Sequence, residues 1–517
     1  MKKILILLSA LLIGTSFNSC SLDEPNYGET TSDNFYQTES EIKETLTGAY
    51  LQLRQTWNEY ALDHYFLGDC TTDDALKGGS SEGDKSEIQE LSNFIVSTTN
   101  SEVLRRWSIL YDLVNRCNDV IYHASNATGD KTLLTRYANE AKALRGFGYY
   151  CLVTTFGGVP LVTVPMKPAD LLKVPRVSAD SVYSQIISDL TAAKDLPAKN
   201  TYSGDDAYRV TRGFAKTILA KTYMFRGEYA KAETVLNEII EVDKDYSLLS
   251  DYGMNWRPAY ENSSESVFEI PNKIYDKDVA IGTNVPHYFT SRNVSGYQGY
   301  GFHAPSQDLY NAFDKDDPRI TYVFTQTGDR YVGDTECQDN SQSPTGFHDY
   351  KMTVPTVEKA GYYVWMIPYN IRMIRYSDVL LLYAEALNED GNPSKALIYL
   401  NEVRRRARNT APFDPRRDKQ AYVPSTTANT LPDIVTTDKS ALREIIWHER
   451  RCELAMEGWR RDDLMRQKRF GTVMKAYAQK YSPTKGANFD DNRDYLLPIP
   501  QTEIDKSNNV LKQNTGY

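Results

Sequence analysis

The sequence predicts a mainly α protein in which tetratricopeptide-like helix pairs form a scaffold beside a loop-rich region. Three observations predict it. Apolar residues recur at helical spacing from residue 40 to 240 and again from 370 to 470. Two stretches align at a constant offset of 164, and residues 250 to 370 between them are rich in Gly, Asn, Asp, Ser and aromatics with few helical stripes.

The first twenty residues, MKKILILLSALLIGTSFNSC, are a secretory leader: Lys2 and Lys3, an apolar stretch from Ile4 to Ile13, then small and polar residues up to Cys20. The apolar stretch is too short to span a bilayer, which takes about 20 residues. The reading is a signal peptide over 1–19 and lipidation of Cys20 within a relaxed lipobox of Phe17, Asn18, Ser19 and Cys20. Several acyl chains on one cysteine anchor a protein stably where a single chain does not.

The mature chain divides into 20–240, with most of the helical stripes, and 241–517, which includes the loop-rich segment, the two forming one unit. A chain of 517 residues, 41% hydrophobic and 25% charged, buries a sizeable core, which excludes disorder as the main state. The formal net charge of −10 disfavours sequence-independent binding to nucleic acid. Tyrosine outnumbers phenylalanine 37 to 17, and tyrosine is the aromatic that packs a face while hydrogen-bonding from its tip. Beyond Cys20 the cysteines are Cys70, Cys117, Cys151, Cys337 and Cys452; no pair has C-x-x-C or zinc-ligand spacing.

The helices are read from their stripes. Ala215, Ile218, Leu219 and Tyr223 form one apolar face; Val379, Leu382, Tyr383, Ala386 and Leu387 form another. The offset aligns Ala220 with Ala384, Gly227 with Gly391, Ala232 with Ala396, and Leu236, Asn237 and Glu238 with Leu400, Asn401 and Glu402. Each copy is a helix, a glycine where a left-handed residue ends it, and a second helix starting near a small residue that permits close crossing. A weaker echo relates Arg145, Gly146 and Phe147 to Arg212, Gly213 and Phe214. The copies are dispersed rather than tandem, which argues against a free solenoid.

Several ordered signatures then resemble one family. They are SLDEPNYGETTSDNFYQTESEIKETLTGAYLQLR after Cys20, RRWSILYDLVNRCNDVI around Trp107, EAKALRGFGYYCLVTTFGGVPLV from Glu140, IRYSDVLLLYAEAL from Ile371, HERRCELAMEGWRRDDLMR from His448, and LLPIPQTEID with the closing QNTGY. In order and spacing they resemble the SusD/RagB outer-membrane lipoproteins of Bacteroidota over the mature length. The resemblance implies about four helix pairs and a loop-rich region with the ligand contacts. It also implies a non-catalytic role: binding oligo- or polysaccharides at the cell surface and delivering them to a SusC-like TonB-dependent transporter. Asp23 and Glu24 are similar to the acidic export tag of surface lipoproteins, which implies an outer-membrane protein facing the exterior.

Sugar rings present an apolar face and a fringe of hydroxyls, so aromatics flanked by Asn, Asp or Gln are the candidates. The segment HYFTSRNVSGYQGYGFH supplies Tyr288, Asn293, Tyr297, Tyr300 and Phe302; Trp256 and Trp365 are second candidates. The early loop YFLGDCTTDDALKGG supplies Tyr65, Asp69, Asp73 and Asp74. Against these stands packing of the aromatics onto the helices and capping by the aspartates. The charge run through Glu449, Arg450, Arg451, Glu453, Glu457, Arg460, Asp462 and Asp463 is read as an interhelical ion-pair network rather than a catalytic set. His448 and Glu449 open an H-E-x-x-H-like string that fails at Cys452, and GxxxxGK[ST], GxGxxG and GxSxG are absent. No catalytic residue, cofactor or metal is assigned. The competing readings are a surface glycoside hydrolase, which needs two carboxylates at a defined separation, and a structural lid or adaptor for a non-sugar nutrient.

Overall fold

The computed structural model describes residues 35–54, 59–272, 282–292, 299–329, 339–352, 354, 367–410 and 430–517. Its scaffold is a row of helices: α1 (Glu39–Arg54), α2 (Ser101–His123), α3 (Lys131–Phe156), α4 (Ala179–Ala192), α5 (Arg212–Arg226), α6 (Tyr229–Asn237), α7 (Tyr376–Glu389) and α8 (Pro393–Asn409). α1 packs on α2, α3 on α4, α5 on α6 and α7 on α8, which makes the four expected pairs. Contacts of α2 with α3, α4 with α5 and α6 with α7 join the pairs into a continuous row. The dispersal seen in sequence is therefore an insertion between the third and fourth pairs.

Local chemistry sets the helix ends. The side chains of Asn100, Asp130, Ser178 and Thr211 accept hydrogen bonds from first-turn amides of α2, α3, α4 and α5. The aligned glycines end α5 and α7 alike: Gly227 has φ +70° and Gly391 φ +91°. Past them the Glu228 amide donates to the Tyr223 carbonyl at 2.9 Å and the Asn392 amide to the Leu387 carbonyl at 2.7 Å, the same six-residue closure in both copies. The weaker echo is also real. Phe147 and Phe214 meet edge to face at 5.6 Å, and Arg145 and Arg212 each hold one aspartate through two hydrogen bonds, Asp189 and Asp245 respectively.

The insertion is less irregular than the sequence suggests. It holds β2 (Ser266–Ile270), β3 (Phe302–Pro305), β4 (Phe324–Thr325), β5 (His348–Asp349) and short helices over Val285–Phe289, Gln307–Ala312 and Ile320–Val323. Elements of two to six residues are too short to show a period. β2 pairs antiparallel with β6 (Ile371–Arg375), which leads directly into α7; β4 pairs with β5; and β3 pairs with β1 (Ala75–Gly78) from the N-terminal half.

A cluster of charged groups is buried beneath the insertion. Around α9 (Lys439–Glu453) and α10 (Arg460–Arg466), Arg375 pairs with Glu265 at 2.7 Å, Glu453 at 3.0 Å and Glu457 at 2.7 Å. Arg319 pairs with Asp317, Glu449 and Glu453, Lys351 with Glu457, and Arg450 with Asp378 and Asp463, all these groups being buried. This is the ion-pair network expected of the charge run. Most ions here have more than one partner, the arrangement under which buried charge is tolerated. Cys70, Cys117, Cys151 and Cys452 are buried free thiols. Among the described residues no helix is long and apolar enough to cross a membrane; Cys20 lies outside them.

Candidate functional site

The two segments singled out as candidate ligand loops meet. β1 continues the early aspartate loop, β3 closes the aromatic segment, and their register sets Leu76 opposite Ala304 and Gly78 opposite Phe302. Glycine is required at the crossing: Gly78 has φ +73°, and a Cβ there would lie 2.2 Å from the Gly301 carbonyl oxygen.

The aspartates serve as anchors, which corrects their assignment as ligand contacts. Asp73 receives two hydrogen bonds from Arg460, at 2.9 and 2.9 Å, and a third ion-pair contact from Arg451 at 2.9 Å. Asp74 pairs with Arg451 at 2.7 Å. Burial opposes ionisation of Asp73, yet Arg451 and Arg460 hold its carboxyl well below the usual carboxylate range. Asp69 accepts from the Gly458 amide at 2.8 Å and faces His303 Nε2 at 3.0 Å, while Asp349 faces His303 Nδ1 at 3.0 Å. Burial disfavours a charged imidazole, but hydrogen bonds to Asp349 and Asp69 outweigh it and raise His303 to about 9. His303 sits at φ +59°, a strained position for a residue with a Cβ, held by this pair of carboxylates.

Tyr65, Trp256 and Phe302 are likewise core residues rather than contact surfaces, at 0%, 2% and 2% exposure. Tyr65 packs edge to face on Phe289. Trp256 lies against Lys351 and Arg375 inside the ion-pair network, at 4.7 and 5.4 Å from its ring centre. Phe302 packs on Phe66 beneath β1. Part of the aromatic segment is thus turned inward. Tyr288 and Tyr300 remain half-buried, 5.2 Å apart and edge to face, with the Lys85 ammonium 5.5 Å from the Tyr288 ring centre. Asn293, Tyr297 and Trp365 lie outside the described residues.

Residues 79–85 form a loop stiffened from within. Asp84 accepts from the amide and hydroxyl of Ser80, at 2.9 and 2.8 Å, and pairs with Arg292 at 2.9 Å. Lys77 donates to the carbonyls of Ser81 and Asp84. On one side of this loop opens a cleft of about 340 Å³, lined among others by Lys77, Gln89, Asn93, Gln342, Thr484 and Lys485. Lys485 donates to the carbonyls of Cys70 and Ala75; burial lowers it to about 8. Amides, hydroxyls and ammonium groups on a cleft rim suit a hydroxylated ligand. Of these residues only Lys77 lies in a segment flagged by sequence. The others come from distant stretches with no shared motif, and among the described residues no His/Cys/Asp/Glu cluster could hold a metal ion.

Residues 264–517 match the SusD family, and residues 22–224 match a family described as starch-binding and associating with the outer membrane. The chain belongs to the SusD family. It is 25% identical to SusD-like protein P2 of Formosa agariphila over the full length of both proteins. Among solved structures, surface glycan-binding protein A of Bacteroides fluxus superposes with a TM-score of 0.74 at 26% identity, covering 93% of this chain and 100% of that one. The protein of the same name from Bacteroides thetaiotaomicron, in complex with laminarihexaose, superposes with a TM-score of 0.76 at 25% identity, covering 92% and 100%.

Proposed function

We propose that this SusD-family chain is a non-catalytic lipoprotein of the outer-membrane surface that captures glycans and passes them to a SusC-like TonB-dependent transporter. The observation that carries the reading is the likeness, over nearly the whole chain, to a surface glycan-binding protein solved in complex with laminarihexaose. The cleft beside loop 79–85 supplies the polar rim such a ligand needs, and Tyr288 and Tyr300 supply half-exposed rings beyond it. Against hydrolysis speaks the state of the acids of the early loop, residues 69–74. A glycosidase keeps two carboxyl groups free to flank the bond, whereas Asp69, Asp73 and Asp74 are held by His303, Arg451 and Arg460. Tethering through Cys20 and the transporter partnership rest on the leader and the family.

Affinity electrophoresis of the mature chain against a glycan panel that includes laminarin tests the reading, with reducing ends assayed in parallel. Retardation by at least one glycan without new reducing ends is expected. No retardation across the panel, or sustained turnover, would overturn it. Co-purification of a large barrel protein from detergent-solubilised outer membranes tests the partnership.

A further inference from the structure

Resting on the proposed function, we infer that the cleft beside loop 79–85 selects acidic glycans, those bearing carboxylate or sulfate groups, over neutral ones. The inference starts from the ionisable groups of the cleft wall, which are Lys77, Lys485 and Glu82. Both lysines are buried, at 3% and 2% exposure, while Glu82 points to solvent. Each ammonium has three N–H donors. Those of Lys77 go to the Ser81 and Asp84 carbonyls, and those of Lys485 to the Cys70 and Ala75 carbonyls. Neither lysine has a carboxylate within ion-pair distance among the described residues, and each retains one N–H beyond these named bonds.

The acids on adjoining elements are already taken. Asp84 is turned to Ser80 and Arg292, Asp69 to His303, and Asp73 and Asp74 to Arg451 and Arg460. Two desolvated cations therefore stand against one solvated anion on the wall of a single cleft, in a chain whose overall charge is −10. Buried ammonium groups held by carbonyl dipoles and one aromatic face each, Phe302 for Lys77 and Tyr477 for Lys485, rather than by a carboxylate are under-compensated, and an incoming carboxylate or sulfate recovers Coulomb energy that a neutral hydroxyl does not. Gln89, Asn93, Thr484 and Gln342 add neutral donors for the ring hydroxyls around that anion. A cleft of about 340 Å³ is at the small end of ligand sites, which fits a short stretch of a chain entered from its side.

The test titrates the mature chain calorimetrically with an oligogalacturonate, its carboxyl-reduced neutral counterpart, a sulfated oligosaccharide and laminarihexaose, each at low and high salt. An acidic probe is expected to bind at least tenfold more tightly than the neutral ones, with an affinity that falls as salt rises. Which acidic probe wins distinguishes carboxylate from sulfate. Lys77→Met and Lys485→Met should each remove most of that preference in protein that keeps its wild-type melting profile. Should either variant fail to fold, the acidic-to-neutral ratio of the wild type still decides. Neutral probes bound as tightly as acidic ones would overturn the selectivity and leave glycan binding intact. Binding of none of the probes would overturn the selectivity, and joined with no retardation across the glycan panel it would overturn both readings together.

Discussion

Arg460 grips Asp73 through two parallel hydrogen bonds, Nε to Oδ1 and Nη2 to Oδ2, both 2.9 Å long and spanning 387 residues of sequence. The early loop, turned by its own Thr72 bonds to Asp69 and Asp74, is thereby tied to the C-terminal charge run. Removing one partner leaves the other charged and buried. Asp73→Ala is expected to lose roughly 3 to 5 kcal/mol of stability, and the double variant Asp73→Ala/Arg460→Met to recover part of it. Denaturant melts of the single and double variants check this; a single variant as stable as wild type would contradict the anchoring role.

The carboxylates on both sides of His303 make stability depend on pH. Its folded value, about 9, lies above the ordinary 6.5, so its contribution is fully present below about pH 6.5 and is lost as pH rises through 9. The contribution is on the order of 3 kcal/mol at most. Plotted as wild type minus His303→Gln, which cancels groups titrating alike in both, the stability difference should shrink steadily from pH 6.5 to 9.5. A difference that is flat or that grows with pH would rule the charged imidazole out.

Gly227 and Gly391 have no atom within 4 Å of an added Cβ, so substitution there tests backbone conformation alone. Gly227→Val and Gly391→Val should each lose about 1 to 2 kcal/mol, with the corresponding alanine variants losing less. Thermal melts of the four variants provide the measurement, and wild-type behaviour in both valine variants would refute the repeat register.

Rings of the aromatic segment should separate by role. Phe302→Ala is expected to lose about 3 to 5 kcal/mol of stability, as for a core ring. Tyr300→Ala should leave the melting temperature near wild type and weaken glycan binding by about 5- to 150-fold, the loss of one stacked ring. The reverse pattern, with Tyr300 destabilising and Phe302 not, would exchange the two assignments.

What the sequence made legible follows from range. The helix pairs rest on spacing within some thirty residues, and the closing glycines on a backbone demand local to one turn, so both could be read, down to the shared closure after Gly227 and Gly391. The charge run could be read as structural because its density of opposite charges is itself a local signal. That the early and aromatic loops meet, as β1 and β3 do, was not legible, and neither was side-chain direction within them. Asp73 looks like a loop acid until Arg460 is placed beside it, and Phe302 looks like a platform until β1 is laid across it. Lys485 and Gln342 carry no local mark at all, since only tertiary pairing brings them to the cleft.

The Asp73–Arg460 bridge also bears on the order of events as the polypeptide is made. Residues 69–74 emerge early, but the guanidinium groups that hold them are near the far end of the chain, as is Gly458, whose amide caps Asp69. The cleft cannot acquire its shape until the last tenth or so of the protein has been released and docked, a non-local closure of the kind that slows folding. A truncated or stalled molecule thus presents no half-built cleft beside finished copies. Assembly of the scaffold and competence to bind become separate, sequential steps.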